Sequence, residues 1–210
     1  KSGRTPNPDI MCNQEVKFKL FLETSLADGA DMIATGHYAS TKDGQLLTAK
    51  NKDKDQTYFL YRVTEKALTK TLFPIGDFKT KQEVRDLAKK FGLSTANKKD
   101  SQGICFVGQV GIKEFLSQYI QTEPGPIINQ KNEEIGEHEG AIFYTIGQRH
   151  GLNVGGGLPY YVTKKDIKSN TVYVTTDLSD KDLWSKEVTL EDLHWINETP
   201  DSKKEYKVRL

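Results

Sequence analysis

The chain has 210 residues, of which 36% are hydrophobic and 28% charged, and its 30 basic and 29 acidic residues give a formal net charge of +1. This composition is typical of a globular protein with one to three domains, and the balanced charge excludes a strong overall attraction to nucleic acid. No run of about 18 apolar residues is present, and the two cysteines are too few for a disulfide scaffold or a four-thiolate zinc site, so we expect a reducing cytoplasm, no membrane span and no structural metal.

The first predicted element is a helix that follows a rigid loop. Residues 3–13 read GRTPNPDIMCN, and the two prolines hold the loop extended. Asn13 is the expected N-cap of the helix. Phe18, Leu22 and Leu26, with Phe21 beside them, recur at helical spacing and predict one buried apolar face.

Cys12 and Asp9 would lie together at the start of this helix. The partial positive charge of a helix N-terminus favours a thiolate over a thiol. A lone cysteine at such a position is more often a small buried apolar residue than a nucleophile. A loop as rigid as residues 6–9 would not be needed if Cys12 only packed into the core, so this loop favours a functional site.

A short apolar run at residues 32–35 predicts a buried strand that ends at Gly36 and His37. A helix followed by such a strand indicates one α/β unit of a parallel sheet, in which ligands gather at the carboxyl ends of the strands. His37 is therefore a candidate ligand contact, although a hydrogen-bonded structural histidine fits equally well. Residues 46–49 predict a further strand.

Two more segments belong to this α/β part. Residues 51–57 form a polar, charge-alternating loop, which is either a solvated loop or an RNA contact that supplies cations and Gln56. Residues 80–83, TKQE, form a capping box, and Gly92 ends the helix that it begins. The apolar stripe of this predicted helix consists of Val84, Leu87, Ala88 and Phe91.

The second cysteine, Cys105, lies in the segment DSQGICFVG at residues 100–108. Small neighbours would let its thiol approach a ligand or another thiol closely. Taken alone, Cys105 is more easily explained as structural. Taken with Cys12, it forms a pair of thiols that could pass sulfur or form a transient disulfide if they meet.

After Gly108 the pattern becomes β-rich. A helix stripe over residues 112–120 is followed by runs at 126–129, 141–145, 160–163 and 171–176 that predict strands. The three glycines at 155–157 are no phosphate loop, because no Gly-Lys-Ser/Thr follows them. Arg149 and His150 lie in a turn where they could contact phosphate or simply form a surface loop. Residues 205–210 predict the beginning of another strand.

Five of these segments together resemble the tRNA-specific 2-thiouridylases. They are GRTPNPDIMCN at 3–13, ATGHY at 34–38, KDQ at 54–56, DSQGIC at 100–105 and TIGQRHG at 145–151. They occur in the family's order and cover nearly the whole chain. The resemblance implies an α/β fold: part of a PP-loop nucleotide-binding (Rossmann-like) domain at 1–108, a small β-rich central domain at 109–181 and the start of a C-terminal β-barrel at 182–210.

The resemblance also implies a reaction, the ATP-dependent replacement of O2 by sulfur on the wobble uridine of tRNA. In this family ATP, bound with magnesium, adenylates that oxygen. The cysteine matching Cys105 carries a persulfide that it receives from a cysteine desulfurase or a sulfur-relay protein. The cysteine matching Cys12 is the nucleophile that releases the sulfur and leaves a disulfide.

Further roles are carried over position by position. Asn7, Pro8 and Asp9 match the contacts to the target base, and Asp9 is a candidate general base. Gly36 matches an ATP-binding position. The positions that match tRNA contacts are His37, Lys54, Asp55 and Gln56.

The family's Ser-Gly-Gly-x-Asp-Ser phosphate loop does not occur in the sequence, so we expect a piece of a longer enzyme that cannot adenylate RNA by itself. A non-catalytic RNA-binding module with structural cysteines is the main alternative. A dithiol oxidoreductase would normally carry a Cys-x-x-Cys pair, which is absent. An ATP-dependent amidating ligase of the same fold would have no use for two thiols.

Overall fold

The computed structural model describes residues 7–98, 112–152, 154–155 and 157–208, with the side chains of residues 112 and 113 left out. The described residues divide into two units. The first unit consists of residues 7–98 together with 191–208, and the second lies between residues 112 and 190. No helix in these described ranges combines the length and the apolar character that crossing a membrane requires.

The first helix begins earlier than predicted. Its successive segments are Pro8–Met11 (α), Cys12–Phe21 (π) and Leu22–Ala27 (α). Asn7 is the N-cap, and its Oδ1 accepts a hydrogen bond from the backbone N–H of Asp9 at 3.1 Å. The assignment of Asn13 as N-cap is wrong, because an Asn followed by a proline at the first helical position already satisfies the requirements of a helix start.

The apolar face of this helix packs as predicted. Phe18 and Leu22 are 4% and 6% exposed, and Leu26 packs against the same core. Phe21 is 53% exposed and so lies off the buried face.

The first unit contains two small sheets. Strand β1 (Ile33–Ala34) pairs in parallel with β4 (Thr71–Leu72), which confirms a parallel strand before Gly36. The predicted burial holds for Ile33 but not for Ala34, which is exposed. Strands β2 (Ala39–Lys42) and β3 (Gln45–Thr48) form an antiparallel hairpin. Its turn residues have φ values of 51° and 77°, as a type I′ turn requires.

Three helical segments lie between β3 and position 98: Thr57–Phe59 (3₁₀), Glu65–Leu68 and Lys81–Lys90. The last of these begins as predicted, since Thr80 Oγ1 accepts from the N–H of Glu83 at 3.3 Å. Gly92, at φ +66°, ends it. Its apolar stripe is not buried by the described residues, and Phe91 is 66% exposed.

The core of the first unit lies between the first helix and the two sheets. Its buried members are Phe18, Leu22, Ile33, Ala39, Leu60, Val63, Ala67, Leu68 and Phe73. Residues 191–208 pack onto this unit: Ile196 contacts the core, and Asp192 forms an ion pair with Arg62. Residues 205–208 are irregular, so the strand predicted there is wrong over those positions.

The second unit contains a four-stranded sheet. Its strands are β5 (Gly125–Ile128), β6 (Glu134–His138), β7 (Tyr161–Asp166) and β8 (Thr171–Thr175), in the spatial order β6-β5-β8-β7. β5 and β8 are parallel, and the other two pairs are antiparallel. The helix Ile112–Ser117 precedes the sheet.

Three of the four predicted β-runs in this unit are confirmed as strands. The run at 141–145 is instead a 3₁₀ turn, Ala141–Phe143. β6 was not predicted, because Ile135 is the one large apolar residue within Glu134–His138 and the strand has no apolar alternation. Ile127, Val162 and Val172 are fully buried at the centre of the second core.

Candidate active site at the start of the first helix

Cys12 lies one turn inside the first helix rather than at its first residue, which corrects the sequence-based expectation. Its backbone N–H donates to the carbonyls of Pro8 and Asp9, so the first helical turn precedes Cys12 in the sequence. The side chain of Cys12 is half-buried and its thiol is free. Asn7 and Asp9, in the preceding turn, are exposed and half-buried respectively.

Asn13 ties this part of the helix to a distant loop. The side chain is only 2% exposed, and its Nδ2 donates to the carbonyl of Phe59 at 3.2 Å. Its Oδ1 is buried and has no partner among the described residues. Sequence reasoning placed Asn13 at a cap, where it would have bonded locally; the structure shows a contact across 46 residues.

His37 follows β1 and packs against the first helix. Its ring centroid lies 5.7 Å from that of Phe18 and 6.3 Å from that of Phe73, and its Nδ1 lies 3.0 Å from Thr35 Oγ1. Burial, with a smaller contribution from the charge of Lys17, lowers the pKa of His37 to about 4. The imidazole is therefore neutral near pH 7 and can contribute a hydrogen bond or a stacking face, but not a positive charge.

Gln56 joins its loop to the residue after His37. The backbone N–H of Tyr38 donates to Gln56 Oε1 at 2.9 Å, and the N–H of Gln56 donates to the carbonyl of Tyr38 at 2.8 Å. This double contact fixes the loop beside the carboxyl end of β1.

The buried carboxylate of Asp55 holds the same loop together through hydrogen bonds. It is 5% exposed, its Oδ1 accepts from the N–H of Ala49 at 2.8 Å and its Oδ2 from Thr57 Oγ1 at 2.7 Å. Lys54, the preceding residue, has an exposed side chain. Of the three residues at 54–56, Lys54 is thus the one that the fold presents outward.

These contacts bring three of the predicted segments together. Three contacts link the first helix, the end of β1 and the segment that begins with the loop at 54–56. They are Asn13–Phe59, Tyr38–Gln56 and Phe18–His37. We call this arrangement the three-segment junction. Cys105 lies outside the described residues, so its meeting with Cys12 stays a prediction.

Sequence reasoning missed a group of cations beside the junction. Partial desolvation, followed by the charges of Arg85 and Lys54, lowers the pKa of Lys81. Burial raises the pKa of Tyr38, and the charge of Arg85 opposes that rise. Lys81 is therefore near Lys54 and Arg85, and Arg85 is near Tyr38. The spacing of Lys81 and Arg85, four residues apart on a predicted helix, could have revealed a shared basic face.

Gly36 borders open space at the carboxyl end of β1. A Cβ placed on Gly36 would meet no atom within 4 Å, so a ligand could approach the backbone there, as nucleotides do at the ends of parallel strands. Among the described residues, no three His, Cys, Asp or Glu side chains are arranged to hold a metal ion.

Two family models match the chain. The tRNA methyl transferase HUP domain matches residues 1–109, and the tRNA methyl transferase PRC-barrel domain matches residues 113–176. The first match covers the described part of the α/β unit before position 98, and the second covers all four strands of the second unit.

Several curated relatives are named tRNA-specific 2-thiouridylase MnmA. The protein of Bacillus cytotoxicus is 46% identical over 99% of this chain and 57% of its own length. That of Legionella pneumophila strain Lens is 48% identical over 93% of this chain and 56% of its own. That of Bacillus licheniformis is 49% identical over 94% of this chain and 54% of its own.

The chain thus spans little more than half the length of these relatives. The family matches confirm the predicted α/β class, with a Rossmann-like domain followed by a smaller β-rich one. The chain belongs to the tRNA-specific 2-thiouridylase family, with a HUP domain followed by a PRC-barrel domain.

Proposed function

We propose that the protein to which these residues belong catalyses ATP-dependent 2-thiolation of the wobble uridine of tRNA. The observation that carries the proposal is the three-segment junction. It gathers a free thiol at Cys12, the Asn-Pro-Asp turn and the polar loop at 54–56, which exposes Lys54, around the end of one parallel strand. This is where an α/β sheet binds its ligands.

The turn before Cys12 would contact the target base. Asn7 uses only its Oδ1 in capping the helix, which leaves its amide NH₂ to donate to a base. Pro8 keeps the turn rigid, and the carboxylate of Asp9 has no partner among the described residues. This half-buried carboxylate, one turn from the thiol, is our candidate for the general base.

The two cysteines would transfer the sulfur. Cys105 would carry a persulfide received from a cysteine desulfurase or a sulfur-relay protein. Its outer sulfur would form a bond to C2 of uridine while the C2–O2 bond breaks and the activated oxygen leaves as part of AMP. The thiolate of Cys12 then attacks Sγ of Cys105 and breaks the S–S bond. The electron pair of that bond goes to the sulfur on uridine, and a Cys12–Cys105 disulfide remains. A thiol reductant must restore both cysteines before the next turnover.

Gly36 would border the nucleotide, because the space beside it is open. When bound with magnesium, ATP would supply the activation of uridine O2 as an adenylate, which makes that oxygen a leaving group. The sequence contains no Ser-Gly-Gly-x-Asp-Ser loop, so we expect the 210 residues alone not to adenylate tRNA.

The tRNA would lie along the exposed side of the junction. Lys54 supplies a cation to its phosphates, with Lys81 and Arg85 beside it. Asp55 and Gln56 hold Lys54 in place, and neutral His37 contributes a hydrogen bond or a stacking face. Such a substrate would place the reaction in the cytoplasm.

The test is complementation in cells that lack wobble 2-thiouridine. They receive the complete gene, either intact or with Cys12→Ser, Cys105→Ser or the control Ser25→Ala, which lies farther along the first helix. Mass spectrometry of tRNA nucleosides then measures 2-thiouridine and, because the family models name methyl transfer, methylated uridine as well.

We expect the intact gene and the control to restore 2-thiouridine and both cysteine variants to abolish it. Thiolation that survives either cysteine substitution would contradict the two-thiol mechanism and favour an RNA-binding module. Methylation without thiolation in cells carrying the intact gene would overturn the proposed reaction.

A further inference from the structure

A groove of about 350 Å³ lies in the second unit, on residues that the proposed reaction does not use. Its lining consists of residues 149–152, Val154 and residues 157–160. The volume is at the lower end of the range for small-molecule sites and matches a single nucleotide.

The Gln148 amide makes two hydrogen bonds within the loop that leads into residues 149–152. Its Oε1 accepts from the N–H of Thr145 at 2.9 Å, and its Nε2 donates to the carbonyl of His150 at 2.8 Å. Both ends of this amide are therefore used within the loop.

The loop is also fixed to strand β7. The N–H of Gly147 donates to the carbonyl of Val162 at 2.7 Å, and the N–H of Val162 donates to the carbonyl of Gln148 at 3.0 Å. Tyr144 donates its hydroxyl to the carbonyl of Gly151 at 3.3 Å. Residues 149 and 150 are thus presented on an anchored loop, so little entropy is lost when a ligand binds.

The groove combines an exposed cation with one aromatic residue, Tyr160, which is half-buried and packs against the core of the second unit. Arg149 and His150 are exposed, and Arg149 has no ion pair or hydrogen bond with any described side chain. Among the described residues that line the groove there is no Asp or Glu, and Leu158, Pro159 and Tyr160 are part of this lining. A guanidinium recognises phosphate, and an aromatic ring gives a face on which a base can stack.

We propose that this groove binds one nucleotide of the tRNA substrate, with Arg149 on a phosphate and Tyr160 against the base. The proposal rests on the proposed function, because the RNA that it assigns to the groove is the tRNA that is thiolated. A protein partner fits less well, because a stable protein interface needs roughly 800 Å² from each side, far more than a nucleotide-sized groove supplies.

The test measures tRNA binding and thiolation by the protein expressed from its complete gene. The probe is an unmodified transcript of a tRNA with uridine at the wobble position, and its dissociation constant is measured at several salt concentrations. The variants are Arg149→Ala, Arg149→Lys and Gln148→Ala. The matched control is Lys168→Ala, which removes an exposed cation from the same unit but outside the groove.

We expect Arg149→Ala to weaken binding about three- to tenfold and to reduce the slope of log K against log salt by about 1, as the loss of one phosphate contact does. Arg149→Lys should recover part of the affinity, since it keeps the charge but not the planar fork. Gln148→Ala should also weaken binding, because it removes the two side-chain hydrogen bonds that hold the loop. Lys168→Ala should leave the affinity and the slope unchanged.

Two results would overturn the inference while leaving the proposed function intact. One is a wild-type protein that binds and thiolates tRNA while Arg149→Ala has the same affinity and slope. The other is an Arg149→Ala variant with normal tRNA affinity that loses thiolation only when a protein sulfur donor is required, which would assign the groove to that donor. A wild-type protein that neither binds nor thiolates the transcript would overturn the proposed function together with this inference.

Discussion

At the scale of single residues, His37 links the stability of the first unit to pH. Its ring is packed against Phe18 and Phe73, and burial lowers its pKa to about 4 from the ordinary histidine value of 6.5. Between these two values the unfolded chain binds more protons than the folded one. The free energy of unfolding therefore falls as the pH is lowered from about 6.5 towards 4.

We predict that His37→Gln reduces this pH dependence. Between pH 7.5 and pH 5, the native protein should lose about 1–2 kcal/mol more of its free energy of unfolding than the variant does. Urea denaturation of both proteins at the two pH values measures the difference. Equal losses would mean that the histidine is solvated or charged in the folded state.

Asn13 determines whether the helix start stays attached to the loop. Asn13→Asp keeps the size of the side chain but replaces its NH₂ donor, and Asn13→Ala removes the amide altogether. Each leaves the carbonyl of Phe59 without its partner. We predict a loss of about 1–3 kcal/mol in the free energy of unfolding for either variant.

The same two variants should also expose the thiol of Cys12. In a Cys105→Ser background, the rate at which a thiol reagent modifies Cys12 should rise, because the helix is no longer held against Phe59. Stability and modification rate that both match those of the parent protein would show that Asn13 has no positioning role.

At the scale of elements, two glycines of the first unit have opposite surroundings. A Cβ on Gly76 would lie 1.7 Å from the carbonyl oxygen of Ala39, whereas one on Gly36 would meet nothing within 4 Å. Gly76→Ala must push its segment away from strand β2, and we predict a loss of more than about 3 kcal/mol. Gly36→Ala should change stability by less than about 0.5 kcal/mol. Thermal and urea unfolding compare the two.

Gly36→Ala then becomes a specific test of the nucleotide site. If the open space beside Gly36 holds ATP in the complete protein, the added methyl group should raise the apparent KM for ATP while leaving the melting temperature unchanged. An unchanged KM would show that the nucleotide does not approach this backbone position.

Elements with strong local signals could be predicted from the sequence. The helix Lys81–Lys90 has its capping box and its terminal glycine, and β1 and β8 have β-branched apolar runs. Strand β2 was missed although the Asp43-Gly44 turn predicts a hairpin. The run at 141–145 has a strand-like composition, but its backbone forms a 3₁₀ turn.

The geometry of the site depended on contacts that no local pattern encodes. The motif residues Asn7, Cys12, His37 and Gln56 were found in the sequence, but the Asn13–Phe59 contact joins positions 46 residues apart. The place of Arg85 near Tyr38 likewise follows from the packing of a helix, not from its own sequence. The sequence thus identified the motif residues but not the contacts that hold them in place.

At the scale of the whole molecule, each unit closes its own hydrophobic core. One core contains Leu60 and Leu68, and the other contains Ile127, Val162 and Val172. Each of these side chains is at most 1% exposed. Since the proposed thiolation site lies in the first unit and the proposed nucleotide groove in the second, a change in one core should affect one function more than the other.

We predict that Leu60→Ala and Ile127→Ala each cost about 2–5 kcal/mol, because each leaves a cavity in a fully packed core. Hydrogen exchange followed by mass spectrometry should show faster exchange over residues 7–98 and 191–208 in Leu60→Ala. In Ile127→Ala the faster exchange should fall within residues 112–176. Acceleration spread evenly over both units in either variant would mean that they unfold as one cooperative body. If each effect is confined to its own unit, substitutions in the groove at Arg149 should leave the surroundings of Cys12 unchanged.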